Sequence, residues 1–144
     1  MMLSEHFSLD ELCASETAVR KGIDNTPPPE LIPVLTRTAM GMEKVRKFLG
    51  HAIHINSGYR CMALNQLVKG QPNSQHLVGC AADMKIDGMT PDEVVKAIKN
   101  GSIAFDQMIR EFDSWTHISV QNTTRDAPRH QALIIDKQGT RLYG

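Results

Sequence analysis

The sequence predicts an α+β fold, a small antiparallel sheet with flanking helices. The first third carries a helical stripe, in which Leu31, Leu35, Thr38, Met42, Val45 and Leu49 step by four, three, four, three and four residues. From residue 52 onward, short segments alternate apolar and polar side chains as half-buried strands do. The helical signals come first and the strands then lie mostly next to one another, the order of an α+β domain.

Each element has a local reason. Ser8-Leu9-Asp10-Glu11 has capping-box form, with Ser8 capping and Glu11 reaching back, so a short helix starts there. Pro27-Pro28-Pro29 is an extended lead-in to the long helix. Pro33 has to sit in or near its first turn, because deeper in it would remove a backbone hydrogen bond, and Gly50 closes it. Ile53 and Ile55 alternate with His54 and Asn56 in a strand over 52–56. Ala82, Met84 and Ile86 alternate with Ala81, Asp83 and Lys85 in a second. Thr90-Pro91-Asp92-Glu93 supplies an N-cap, a proline at the first helical position and an acid at the third, opening a helix that runs to about Lys99 and ends at Asn100-Gly101. Residues 107–112 and 115–120 read as two strands close in sequence, and 132–136 as a last strand followed by a Lys137-Gln138-Gly139 turn.

Composition narrows the function. The 144 residues make one domain, 1–144, with too little chain left for a second core. Lys+Arg and Asp+Glu balance at 16 each, so no net basic field exists for gripping nucleic acid. The longest apolar runs are as short as Ala132-Leu133-Ile134-Ile135, which rules out membrane insertion by a helix. Met1 to Phe7 lack the basic and apolar regions of a secretory signal, so synthesis in the cytoplasm without a signal peptide is expected. Cys13, Cys61 and Cys80 are an odd and sparse set with no Cys-x-x-Cys spacing, and neither a disulfide scaffold nor a zinc ribbon fits.

Chemistry concentrates around two of the six histidines. His76 lies on the approach to the second strand, and Gly79, Cys80, Ala81 and Ala82 are small enough to leave room for an ion between it and Asp83. Asp83 alternates with Ala82 and Met84, and His117 with Ile118, so both leave their strands on the face that is not apolar. Two imidazoles and a carboxylate suit Zn²⁺ and leave a fourth position for water. His6, His51 and His130 read as surface or satisfied histidines, while His54 has the strand parity of the polar face.

The motif Ser74-x-His76-x-x-Gly79-x-Ala81-x-Asp83, followed by Trp115-x-His117-Ile118-Ser119, resembles that of the zinc D-Ala-D-Ala carboxypeptidase and L-Ala-D-Glu endopeptidase family. That family shares the hedgehog/DD-peptidase fold and includes phage endolysins and vancomycin-resistance dipeptidases. His6-Phe7-Ser8, Asp24-Asn25-Thr26-Pro27 and Asn56-Ser57-Gly58-Tyr59-Arg60 resemble the phage-type branch. The resemblance runs from about Ser4 to Val120. It implies one zinc ion on the sheet face, held by His76, Asp83 and His117. It also implies a transition-state arginine at Arg60, a substrate-contacting serine at Ser74 and a catalytic acid at Glu111, six residues before the last ligand. Other branches carry the acid three residues before that ligand, here Ser114, or a histidine two before, here Trp115, so Asp113 is the rival acid.

Strand parity separates the rivals. A two-residue Asp113-Ser114 loop would set Glu111 across from Thr116, away from the face of His117. A three-residue Asp113-Ser114-Trp115 loop puts Glu111 on that face and matches Met108 with Val120, so an odd-length loop or a bulge is expected. The function implied is a zinc metallopeptidase that cuts a peptide bond in the peptidoglycan stem peptide. It would be a monomeric phage or prophage lysin, acting on the wall after release or as part of a virion. The alternatives are a non-catalytic, hedgehog-like zinc module and a virion structural component. Retention of Glu111, Arg60 and Ser74 favours the enzyme.

Overall fold

The capping box at Ser8 closes as its sequence predicts: Ser8 Oγ accepts from Glu11 N at 3.1 Å, and Glu11 Oε1 accepts from Ser8 N at 3.2 Å. It opens α1 (Leu9–Cys13) in the computed structural model, which describes residues 1–120 and 128–144. A second short helix, α2 (Glu16–Lys21), is capped by Ser15 and stopped by Gly22 in the left-handed conformation. The long helix α3 (Ile32–Leu49) has Pro33 in its first turn and left-handed Gly50 at its end. It buries Leu35, Thr38, Met42 and Val45 of the predicted stripe, together with Ala39; Leu49, and Leu31 in the 3₁₀ turn before the helix, are partly buried. After β1 (Ile53–Ser57) come α4 (Met62–Leu67), a 3₁₀ turn over Gln75–Val78, and β2 (Ala81–Ile86). Then follow α5 (Pro91–Lys99), β3 (Gln107–Glu111), β4 (Trp115–Ser119), β5 (Gln131–Asp136) and β6 (Gly139–Leu142).

The strands form one sheet in the order β1-β2-β4-β3-β5-β6. Its apolar face presents Ile53, Ala82, Met84, Ile86, Met108, Ile118 and Ala132 to α3 and to Val94, Val95 and Ile98 of α5, with Phe7, Leu12 and Phe105 closing the core. A fully buried side chain of Leu, Ile or Met size stabilises by roughly 1.5–3 kcal/mol, so this layer holds α3 and α5 to one side of the sheet. The other face is thereby left for chemistry.

The α+β class is as predicted, but the sheet is mixed: β3 and β5 run parallel, while β1–β2, β2–β4, β3–β4 and β5–β6 are antiparallel. The reason is topological. β2 already occupies the outer edge of β4, so β5 docks on the far side of β3, and reversing direction after β4 aligns it with β3. Alternation within a strand carries no information about which edge it joins. The β3–β4 loop is odd-length as expected, but it consists of Phe112, Asp113 and Ser114, and Glu111 pairs with Trp115. Phe112 and Asp113 both take φ of 51°, and Ser114 N donates to Glu111 O at 2.9 Å, closing the turn one residue earlier on each strand. Met108 accordingly pairs with Ile118, Ile109 with His117, and Arg110 with Thr116. The parity that puts Glu111 on the face of His117 is unchanged.

Buried Asn25 ties the front of the molecule together. Its Nδ2 donates to Cys13 O and Tyr59 O at 2.9 and 3.0 Å, and its Oδ1 accepts from Cys61 N at 2.8 Å. Tyr59 N also donates to Leu12 O at 2.7 Å and Arg60 N to His76 O at 3.1 Å. These bonds fix the segment carrying Gly58 and Arg60 against the 3₁₀ turn that carries His76.

Candidate metal centre

Three elements bring three side chains to one point. Asp83 and His117 are register partners on β2 and β4, so they leave the polar face side by side. His76 comes from the 3₁₀ turn, which Ser74 opens by accepting from His76 N and Gly79 closes with φ of 79°. One ligand atom from each of His76, Asp83 and His117 lies within 4.8 Å of the others. His76 and His117 are buried and their rings meet edge to face, 5.1 Å between centroids.

The hydrogen bonds identify those atoms. His76 Nδ1 is 2.7 Å from Gly58 O, which can only accept, so Nδ1 carries the proton and the Nε2 lone pair faces Asp83 Oδ1 at 3.3 Å. His117 Nδ1 lies 3.0 Å from the same oxygen, and its Nε2 lies 3.4 Å from Gln75 Oε1. Neutral imidazoles would thus aim lone pairs at an oxygen that also only accepts. Either both rings take an extra proton or a cation sits among them. Two nitrogens and one carboxylate oxygen are the donor set of a three-ligand zinc centre with an open fourth position. The residues present therefore fit the ion.

Burial works to raise the Asp83 carboxyl, but hydrogen bonding and charge from His117 and His76 overcome it and hold the group well below the usual carboxylate range. Glu111 stands two pairs further along the β3–β4 ladder, opposite Trp115 and on the same face as His117. Burial raises its carboxyl and the charge of Asp83 adds to that, against the pull of His117 and Arg60. Arg60 is lowered by burial, against Asp83 and Glu111. One guanidinium nitrogen donates to Ser74 Oγ at 3.3 Å, and its Nε is buried without a hydrogen-bond partner among the described residues.

The other candidates divide cleanly. Asp113 is turned away: Arg110, whose side chain leaves the opposite face, binds it through Nε at 2.5 Å and Nη2 at 3.3 Å. Trp115 packs near Phe112, 6.1 Å between ring centroids. His54 pairs with Lys85 on the polar face but stays outside the cluster, lining a cleft of about 560 Å³ together with Ser57, Tyr59 and Arg60. His6 is bound by Glu43 at 2.7 Å, and His130 lies on Phe105 at 4.2 Å. Cys80 is a small buried residue behind the site. Sequence reasoning missed Gly58 and Gln75, whose oxygens lie against the two imidazoles at 2.7 and 3.4 Å; Gly58 sat in a quoted motif, but its carbonyl carries no residue-type signal.

No helix among the described residues is long and apolar enough to cross a membrane. No curated protein matches the chain. The family model described as peptidase M15 matches residues 5–119, which take in the whole of β1 to β4 and every side chain gathered on their polar face, and the chain belongs to the peptidase M15 family.

Proposed function

We propose that the protein is a zinc-dependent peptidase that hydrolyses a peptide bond of the peptidoglycan stem peptide, as a D-Ala-D-Ala carboxypeptidase or L-Ala-D-Glu endopeptidase of phage or prophage origin. The observation that carries this reading is the convergence of His76 Nε2, Asp83 Oδ1 and His117 Nδ1 beside a raised carboxyl and a guanidinium. His76, Asp83 and His117 would hold one zinc ion, which when bound supplies a Lewis acid and lowers the pKa of water towards about 7.

The chain's own residues do the rest. Glu111 accepts the proton of the attacking water; burial has raised its carboxyl, which brings its basicity closer to neutral pH. As the C–N bond breaks, the same carboxyl returns that proton to the leaving amine. Arg60 offers its fork of donors to the developing oxyanion or to a peptide carboxylate, and Ser74 steadies that fork. The cleft beside Arg60 gives the peptide somewhere to lie. The test is digestion of purified peptidoglycan with and without chelator, with released fragments identified by mass spectrometry. Chelator-sensitive release of stem-peptide fragments is expected. Release that chelator leaves untouched, or none from a zinc-loaded sample, would overturn the proposal.

A further inference from the structure

We infer that Gln75 is a positioning residue that selects the tautomer of His117, and that buried Asp106 sets its amide the right way round. Asp106 is fully buried, and among the described residues the four hydrogen bonds to its carboxylate all come from donors. Oδ1 accepts from Arg129 N and Nε, both at 3.0 Å. Oδ2 accepts from Arg129 Nη2 at 2.8 Å and from Gln75 Nε2 at 2.9 Å. A carboxylate paired with a guanidinium in this forked way is an acceptor only. The Gln75 atom against it must therefore be the NH₂, which turns the carbonyl oxygen of that amide to His117 Nε2 at 3.4 Å. That oxygen can only accept, so Nε2 of His117 bears the hydrogen and Nδ1 keeps the lone pair facing Asp83.

Charge fixed at Asp106 by Arg129 is thus converted, through one neutral amide, into a choice between two imidazole nitrogens about a ring's width apart. His76 is oriented by a backbone carbonyl, but His117 depends on a side chain that mutation can remove. The inference rests on the metal reading above. Outer partners of metal-bound histidines commonly change metal affinity by about 10–100-fold when lost.

The test uses zinc-loaded full-length protein, chelator competition for zinc affinity, and ¹⁵N-histidine NMR to read which ring nitrogen of His117 bears hydrogen. Gln75→Leu should lower zinc affinity by about 10–100-fold and weaken the Nε2–H signature of His117. Gln75→Glu alone sets two carboxylates together, and Asp106→Asn alone lets the amide turn over, so each should lose affinity. The double variant Gln75→Glu/Asp106→Asn restores an acceptor towards His117 and a donor behind it, and should recover most of the loss. A role confined to packing would give no such recovery. Parent-like zinc affinity in Gln75→Leu, or a double variant no better than its weaker parent, overturns the inference. A parent protein that takes up no zinc overturns this inference and the metal reading together.

Discussion

Asp83 and His117 are register partners across the β2–β4 ladder, and His117 Nδ1 lies 3.0 Å from Asp83 Oδ1. The sheet itself sets this pair: residues directly opposite in an antiparallel ladder share a face. Asp83→Asn keeps the size and the strand but replaces an ionised acceptor with an amide. It should weaken zinc binding by more than the roughly 10–100-fold typical of losing an outer partner. Saturating zinc at 100 times its Kd should stabilise the parent by about 2.7 kcal/mol and leave Asp83→Asn nearly unmoved. Thermal unfolding with and without zinc reads this, and equal zinc-induced shifts in the two proteins would count against the site.

Gly58 supplies the second prediction. A Cβ there would stand 2.4 Å from Leu12 O, a backbone atom already bound by Tyr59 N. The neighbouring chain has to move, and the Gly58 carbonyl that receives His76 Nδ1 has to move with it. Gly58→Ala should cost roughly 1–3 kcal/mol, as overpacking does, and should also weaken zinc binding. Urea unfolding and chelator competition measure the two losses. An unfolding midpoint equal to that of the parent would show that the close approach is tolerated.

The parts of this molecule legible in the sequence are those a single segment specifies. The stripe from Leu35 to Val45 needs only its own spacing to declare a helix, and Ser8 and Thr90 cap their helices through residues three positions on. Asp83 and His117 are readable because strand parity alone sends both to the polar face. What escaped depends on segments meeting. α2 and α4 are six residues each and carry too few apolar positions for a periodic signal. β6 is exposed throughout and exists because β5 offers an edge. The parallel β3–β5 pair was invisible for want of knowing that β2 fills the edge of β4. Likewise Asp106 and Gln75 are 31 positions apart, and no local pattern couples a buried carboxylate to an amide at that distance.

Cys13 gives a prediction independent of metal. Burial, with a smaller contribution from the charge of Asp10, pushes its thiol up to about 11. A raised thiol pKa means less thiolate at any pH below it, and thiolate is the reactive form. In a Cys61→Ala/Cys80→Ala variant, alkylation of Cys13 should therefore keep accelerating through pH 9 and level off only near about 11. A pH–rate profile that levels off near about 8.5, the ordinary cysteine value, would contradict the buried setting of this side chain.

The two acids of the β3–β4 hairpin make opposite predictions. Glu111 lies on the polar face with His117, inside the reach of the charges of Asp83 and Arg60. Asp113 sits at the turn with its side chain 63% exposed, bound to Arg110 from the other side of the sheet. Glu111→Gln keeps the shape but cannot take a proton from water. Positioned general-base catalysis is commonly worth about 10²–10⁴ in rate, and here the same carboxyl would also protonate the leaving amine, so the loss should reach or exceed that range. Zinc content should stay at the parent level, because Glu111 is outside the converging trio. Asp113→Asn removes an exposed ion pair, worth at most about 1 kcal/mol, and should leave turnover close to that of the parent. Steady-state hydrolysis of a stem-peptide substrate by both variants, with zinc measured in parallel, separates the two. A dead Asp113→Asn beside an active Glu111→Gln would move the catalytic acid to the turn while leaving the metal trio standing.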